Sequence, residues 1–446
     1  MRNLNGKKAF VCAACLVIAS TGCDSSIPGS PQDDRETFAG YAVTHETTDS
    51  APSEAPKPTT VTEVGWVWEG PERTRVDRIH PIPTGAVLHL GNGAVGLDTA
   101  TGEEVWSFLL PEHDSETGGE LAVSPDGTLV AFSPGESLVL LNSATGEEIR
   151  RVDHGDTGEG HLVVDRVGAV ANNGLVNANG GPELSVTLTP WDGDEQGWEA
   201  VLSVCDENVN AIVDQGLLTD GQVVVTYTCG ESAPAMVGLD QETGDEMWRL
   251  QEGEDYRTDQ YMFAEEDAQF TVIGDNIVLQ NISSHRGTVV INAVEGEVIA
   301  DDLPSSPDNT LVRVLADGYL SVRRIAEGTG QGVAYELNDF SGEVLNTFRT
   351  DEEVARGSTV NFLVLEESLL KIRMVEGSEQ QDMVIFDWLG EQRRIDLPVE
   401  IDTTDLLSIQ RVDEAVGPGT FQEVPGAVLL REFPSSTSSP RVIGFT

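Results

Sequence analysis

The hydrophobic positions of this chain fall in short runs broken by turn residues. GLDTATGEEVWSF at 96–108 and GLDQETGDEMWRL at 238–250 show the unit most clearly. An apolar strand ends in Asp, two or three turn residues lead to Thr-Gly, an acidic residue follows, and a second strand ends in Trp. Weaker copies recur in LLNSATGEEIRRV (Gly146), VTLTPWDGDEQGWEAV (Gly193), VVINAVEGEVIADDL (Gly296), YELNDFSGEVLNTF (Gly342) and VIFDWLGEQRRIDL (Gly390). From Gly102 the successive turns are 44, 47, 51, 52, 46 and 48 residues apart. A strand-turn-strand core with a period near 48 predicts a propeller blade of four strands. Glycine supplies the positive φ of a tight hairpin, and the upstream Asp or Asn can accept hydrogen bonds from the turn amides.

The two ends of the pattern complete the count. VTEVGWVWEG at 61–70 has no hairpin before it, while DLLSIQRV, GAVLLREF and RVIGFT supply three strands without a fourth. The N-terminal strand therefore completes the C-terminal sheet, so that the chain predicts an all-β, eight-bladed propeller of four-stranded antiparallel blades closed by its own termini. Seven blades is the alternative, if the Gly193 copy is an insertion.

The repeat resembles that of the pyrroloquinoline-quinone-type β-propellers, with its Ala-x-Asp-x-x-Thr-Gly-x-x-x-Trp pattern. Asp98, Thr101, Gly102 and Trp106 match it, as do Asp240, Thr243, Gly244 and Trp248. The resemblance implies that the Trp docks each blade on the next, a role expected of Trp106 and Trp248, of Trp198 one residue late, and of Trp68 in the closing strand. Arg150, Ala300, Asn346 and Arg394 stand at the equivalent offset in the other copies. The resemblance covers about residues 60–446.

The N-terminus reads as an address. MRNLNGKK is basic, AFVCAACLVIAS is apolar, and Ser20-Thr21-Gly22-Cys23 resembles the lipobox of bacterial lipoproteins, with Ser where Leu is preferred. This predicts a signal peptide at 1–22 and a lipidated Cys23, acyl chains being the membrane attachment; plain secretion is the alternative. Residues 24–60, rich in Pro, Ser, Thr and acidic side chains, predict a disordered tether over 23–60 with a reach on the order of 35 Å, and 61–446 the propeller. No apolar stretch reaches the roughly 20 residues of a membrane-spanning helix.

Charge and cysteine narrow the classes further. The chain carries 76 acidic and 26 basic residues, a net charge of −50, which repels nucleic acid and anionic headgroups. Once Cys12 and Cys15 leave with the signal peptide and Cys23 is lipidated, Cys205 and Cys229 remain in an oxidising compartment. They flank VNAIV and QVVVTYT, read as two strands about the turn LLTDG, and are expected as a disulfide between cross-strand neighbours.

No catalytic constellation is legible. There is no Gly-x-Ser-x-Gly elbow. GTGQG at 328–332 lacks the Lys-Ser/Thr of a phosphate cradle and reads as a loop. His154 and His161, Asp192–Gly193–Asp194–Glu195 and Glu265–Glu266–Asp267 lack the spacing of zinc or calcium sites, so no metal ligands are assigned. Quinone-dependent enzymes of the resembling family place vicinal cysteines beside the cofactor; no Cys-Cys occurs here, and no cofactor is expected. The expectation is a non-catalytic scaffold on the extracytoplasmic face of the cell membrane, a monomeric body that binds an envelope or secreted protein. The alternative is an enzyme or small-molecule sensor using the central channel, whose residues would converge from several blades.

Overall fold

The computed structural model describes residues 37–38, 41–72, 74–111, 119–134, 137–152, 168–191, 197–206, 209–219, 221–230, 235–251, 268–281, 288–301, 303–306, 308–327, 330–350, 362–374, 381–388, 391–396, 421–431 and 439–446. The chain divides into Met1–Arg35 and Glu36–Thr446, and every described residue lies in the second unit. The lipidation position Cys23, His154, His161, the Asp192–Glu195 and Glu265–Asp267 clusters and the strand DLLSIQRV all fall outside the described residues.

Strands account for the regular structure of the described residues. Three short ones come first: β1 (Thr37–Phe38), β2 (Tyr41–Ala42) and β3 (Thr44–Glu46), then β4 (Val64–Glu69). Blade 1 holds β5 (Val76–Ile82), β6 (Gly85–Leu90), β7 (Gly93–Asp98) and β8 (Glu103–Leu109). Blade 2 holds β9 (Glu120–Val123), β10 (Leu129–Ser133), β11 (Leu138–Asn142) and β12 (Glu148–Val152). Blade 3 holds β13 (Gly168–Val170), β14 (Gly174–Asn179), β15 (Leu184–Pro190) and β16 (Trp198–Leu202). Blade 4 holds β17 (Ala211–Thr219), β18 (Gln222–Cys229), β19 (Ala235–Asp240) and β20 (Glu246–Gln251). Blade 5 holds β21 (Ala268–Ile273), β22 (Asn276–Asn281), β23 (Val289–Asn292) and β24 (Glu297–Ala300). Blade 6 holds β25 (Ser305–Ser306), an added edge strand, then β26 (Asn309–Val314), β27 (Gly318–Glu327), β28 (Gly330–Asp339) and β29 (Val344–Thr350). Blade 7 holds β30 (Phe362–Val364), β31 (Ser368–Met374), β32 (Gln381–Asp387) and β33 (Gln392–Asp396). Blade 8 holds β34 (Phe421–Val424), β35 (Ala427–Arg431) and β36 (Arg441–Phe445), with β4 as its fourth strand.

The protein is thus an all-β, eight-bladed β-propeller, each blade a four-stranded antiparallel meander. The Gly193 copy contributes a full blade, so the count is eight. Closure runs through Val442↔Trp68, Ile443↔Val67 and Gly444↔Trp66. First strands of neighbouring blades approach one another, β9 and β13, β13 and β17, β17 and β21, β30 and β34, β34 and β5, which sets them around the centre of the ring. In such a meander the first and third turns of every blade share one face of the disc; the second turns and the blade connections share the other.

The core lies between blades. On β6, Ala86, Leu88 and Leu90 pack toward blade 8, with Val424, Ala427 and Leu429, while Val87 packs toward blade 2, with Val130 and Phe132. Alternate residues point to opposite faces of a sheet, so a strand sandwiched by two neighbours is buried on both faces, and β6 is buried along its whole length and apolar but for His89. Of GTGQG, read as a loop, Gly330–Gly332 instead begin β28, which pairs with β27 (Gly318–Glu327).

The predicted tether differs most from expectation. Its described part, 37–38 and 41–60, is laid on the propeller. Phe38 is buried against Trp106, Phe108 and Phe132 between blades 1 and 2. β3 then pairs with β8 in the register Thr44↔Leu109, His45↔Phe108, Glu46↔Ser107, making blade 1 five-stranded. The chain continues along the first-and-third-turn face, donating from Thr48 N to Thr145 O (3.1 Å) in blade 2. It accepts at Pro56 O from Gly426 N (2.9 Å) in blade 8 and at Thr59 O from Glu367 N (3.0 Å) in blade 7. Val61 ends the crossing, buried among residues of blades 7 and 8. Composition alone marks such a segment as unable to bury a core; backbone pairing and two apolar side chains hold it.

Candidate functional site

The repeat turns show why their residues recur. In blade 4, Asp240 Oδ1 accepts from Glu242 N (2.9 Å), Thr243 N (2.8 Å) and the Thr243 hydroxyl (3.1 Å), and Thr243 Oγ1 accepts from Asp245 N (3.2 Å). Gly244 closes the turn at φ 75°. In blade 1, Asp98 Oδ1 accepts from Ala100 N (2.9 Å), Thr101 Oγ1 accepts from Glu103 N (3.3 Å), and Gly102 has φ 77°. Asn142 and Asn292 do the same work in blades 2 and 5. In blade 6, bonds from the Ser341 hydroxyl and the Glu343 amide hold the Asp339 carboxyl below the ordinary aspartate range.

The turn glycines of blades 1, 2, 4 and 5 are also landing places for the preceding blade. The indole of Trp106 lies on Gly146 and donates to Ser143 O (2.7 Å). Trp198 lies on Gly244 and donates to Gln241 O (2.9 Å); Trp248 lies on Gly296 and donates to Ala293 O (2.8 Å). Across the closure it is Trp66 that lies on Gly102 and donates to Thr99 O (2.8 Å). Trp68 docks the same two blades in another way: it is buried in the blade 8–blade 1 core and donates to the Glu104 carboxylate (2.8 Å). In every case the acceptor carbonyl stands three residues before the turn glycine. Trp66, Trp106 and Trp248 also each sit opposite a glycine of their own blade, Gly444, Gly96 and Gly238. Arg150, where the Trp is missing, donates from Nη1 to Pro190 O (3.1 Å) and Trp191 O (2.7 Å), so it spans the blade 2–blade 3 boundary by a different side chain.

Cys205 and Cys229 form a disulfide with Cα atoms 5.5 Å apart. The expected hairpin is present as β17 and β18, but the two cysteines are not cross-strand neighbours in it. β17 runs on to Thr219, and the residue opposite Cys229 is Ala211. Cys205 belongs to the link between β16 and β17, and the bridge ties that link to the end of β18.

Several ionisable side chains lie on the inner strands of the blades, and none was singled out by spacing. His80 and His89 of blade 1 have ring centroids 6.5 Å apart. His89 Nε2 lies 2.7 Å from Gly119 O, and His80 Nε2 is buried without a hydrogen-bond partner among the described residues. Burial, then the neighbouring His89 and Arg78, pushes His80 down to about 3. Burial also lowers His89, against its bond to Gly119. Glu423 of β34 is raised by burial and restrained by Lys57 of the N-terminal crossing and Arg313 of β26; burial lowers Arg313. Burial raises Asp214 of β17. Among the described residues no three His, Cys, Asp or Glu side chains are grouped as a metal set. What the site offers is a rigid ring of turns and strand edges, with an ionic group of blades 6 and 8 facing Lys57.

A family model described as outer membrane protein assembly factor BamB matches residues 91–306. With the turn geometry above, this match supports a pyrroloquinoline-quinone-like repeat in the propeller. No curated protein matches it. Among solved structures it is similar to BamB from Moraxella catarrhalis, at 13% identity and TM-score 0.41, over 86% of this chain and 100% of that one. The quinohemoprotein alcohol dehydrogenase ADHIIG from Pseudomonas putida HK5 aligns at 12% identity and TM-score 0.43, over 86% and 76%. The WD40 domain of SCAP from fission yeast aligns at 10% identity and TM-score 0.42, over 90% and 98%.

Proposed function

We propose that this protein is a membrane-anchored, extracytoplasmic scaffold that binds another protein of the cell envelope without acting as an enzyme. The match of residues 91–306 to the BamB family carries this reading. The lipobox-like Ser20–Cys23 supports the anchor, and the disulfide supports an oxidising compartment. Physically, eight blades locked by turn glycines and indoles give a stiff disc whose loops and strand edges can be shaped for a partner without disturbing the core.

The second reading is a small-molecule site in the central channel, favoured by the ionisable groups on the inner strands of blades 1, 6 and 8. The two separate by crosslinking in intact cells, with native Cys23 beside a Cys23→Ala control. Capture of a defined envelope protein that depends on Cys23 is the expected result. No capture, together with binding of a small molecule by the purified propeller, would overturn the scaffold reading in favour of the channel.

A further inference from the structure

We infer that residues 44–59 occupy a peptide-binding track, which a partner's extended, cation-bearing segment takes over by strand exchange. The inference rests on the scaffold reading and names the surface and the kind of partner.

The crossing is pinned hard at its ends and lightly between them. Phe38 and Val61 are buried, at 1% and 0% exposure. From Thr44 to Thr60 no side chain is buried. What holds this stretch is mostly backbone: the β3–β8 pairing, Thr48 N to Thr145 O, Gly426 N to Pro56 O, and Glu367 N to Thr59 O. The His45 ring adds one bond, to Gly146 O at 2.7 Å. A segment with few apolar contacts opens locally at a free energy well below that of global unfolding.

Lifting it uncovers backbone groups suited to another extended chain. The outer edge of β8 is freed, with the carbonyls of Thr145 and Gly146 and the amides of Gly426 and Glu367. An open strand edge is a template for pairing, and main-chain bonds of this kind bind extended peptides with little regard to sequence. Selectivity comes from charge. Lys57 is the one Lys or Arg between residues 37 and 61, and it is the cation that acts on the half-buried Glu423 from the crossing. Arg313 stays beside that carboxylate when Lys57 leaves; a replacing segment with a cation restores the second favourable charge, and a protein of net charge −50 favours basic segments at long range.

Two measurements on the full chain test this. In hydrogen exchange, the Gly426 and Glu367 amides should exchange at least about a hundredfold faster than those of Leu429 and Leu430 in β35; equal protection would overturn the inference without any mutation. In fluorescence anisotropy, a labelled peptide with the sequence of residues 44–61 should bind saturably. Binding should weaken at least about tenfold when Thr44→Cys and Leu109→Cys lock β3 to β8, since this in-register pair lies within disulfide reach. It should also weaken when the peptide carries Glu in place of Lys57. Undiminished binding to the locked protein would overturn the inference. If exchange fails while Cys23-dependent capture persists, the scaffold reading stands on another surface; if exchange succeeds and capture fails, the track stands and the envelope partner does not.

Discussion

Replacing Gly146 by Ala tests whether the turn glycines are required by backbone conformation alone or by the indole that lands on them. Two costs add at this position. The residue has φ 71°, where an L side chain costs roughly 1–2 kcal/mol. An added Cβ would also stand 2.6 Å from both Cβ and Cγ of Trp106. That indole cannot retreat, being 2% exposed, bonded to Ser143 O at 2.7 Å and backed by Gly96, so overpacking adds about 1–3 kcal/mol. Gly221 provides the control. Its φ is 87°, yet nothing lies within 4 Å of an added Cβ, so Gly221→Ala carries the backbone cost only. Urea unfolding followed by tryptophan fluorescence should lower the midpoint of Gly146→Ala by about 1–3 kcal/mol more than that of Gly221→Ala, the slope staying constant. Equal losses in the two variants would refute the indole's part in the turn.

Arg150→Met should cost about 1.5–3 kcal/mol by removing charge-assisted bonds across blades 2 and 3, read as faster exchange at that boundary than at the Trp-docked ones. His80 should stay neutral where a free imidazole titrates: its folded value near 3 lies below the unfolded 6.5, so only the unfolded chain takes up a proton between them, and stability falls as pH drops through that window. At pH 5 the loss is about 2 kcal/mol relative to pH 7.5, and it should vanish in His80→Gln; an NMR titration placing His80 near 6.5 would contradict this. Cys205→Ser with Cys229→Ser opens a link of sequence separation 24 and should cost about 3 kcal/mol, measured as a lowered thermal midpoint that reducing agent also produces in the parent.

What could be read in advance was what is local. Asp98, Thr101 and Gly102 satisfy one another within five residues, so their spacing alone announces the turn and, repeated, the ring. The choice between Trp66 and Trp68 is not local. Both lie on one side of β4, and only pairing with Gly444 at the other end of the chain selects Trp66; a glycine opposite the indole, as at Gly96 and Gly238, was the available signal. The N-terminal crossing was hidden because its bonds are backbone bonds, to which Pro, Ser and Thr content is blind, although Phe38 and Val61 stood out as apolar. Arg313 and Glu423 come from blades 6 and 8, and no spacing along the chain brings them together.

The closing strand also sets a timetable. β4 is among the first strands made, and its partner β36 is the last, with Thr62 N bonded to Thr446 O across the whole domain (2.7 Å). Pairing so distant in sequence is slow to form. Blades 1 to 7 can assemble in order while β4 waits with an open edge, and the circle is sealed only after residues 441–445 have emerged. A chain threaded through a membrane would spend that interval exposed, its N-terminal strand a ready template for wrong partners. Chaperone demand during folding should therefore track the time to the final strand, and truncation just before Arg441 should be far more damaging than the loss of a few residues suggests.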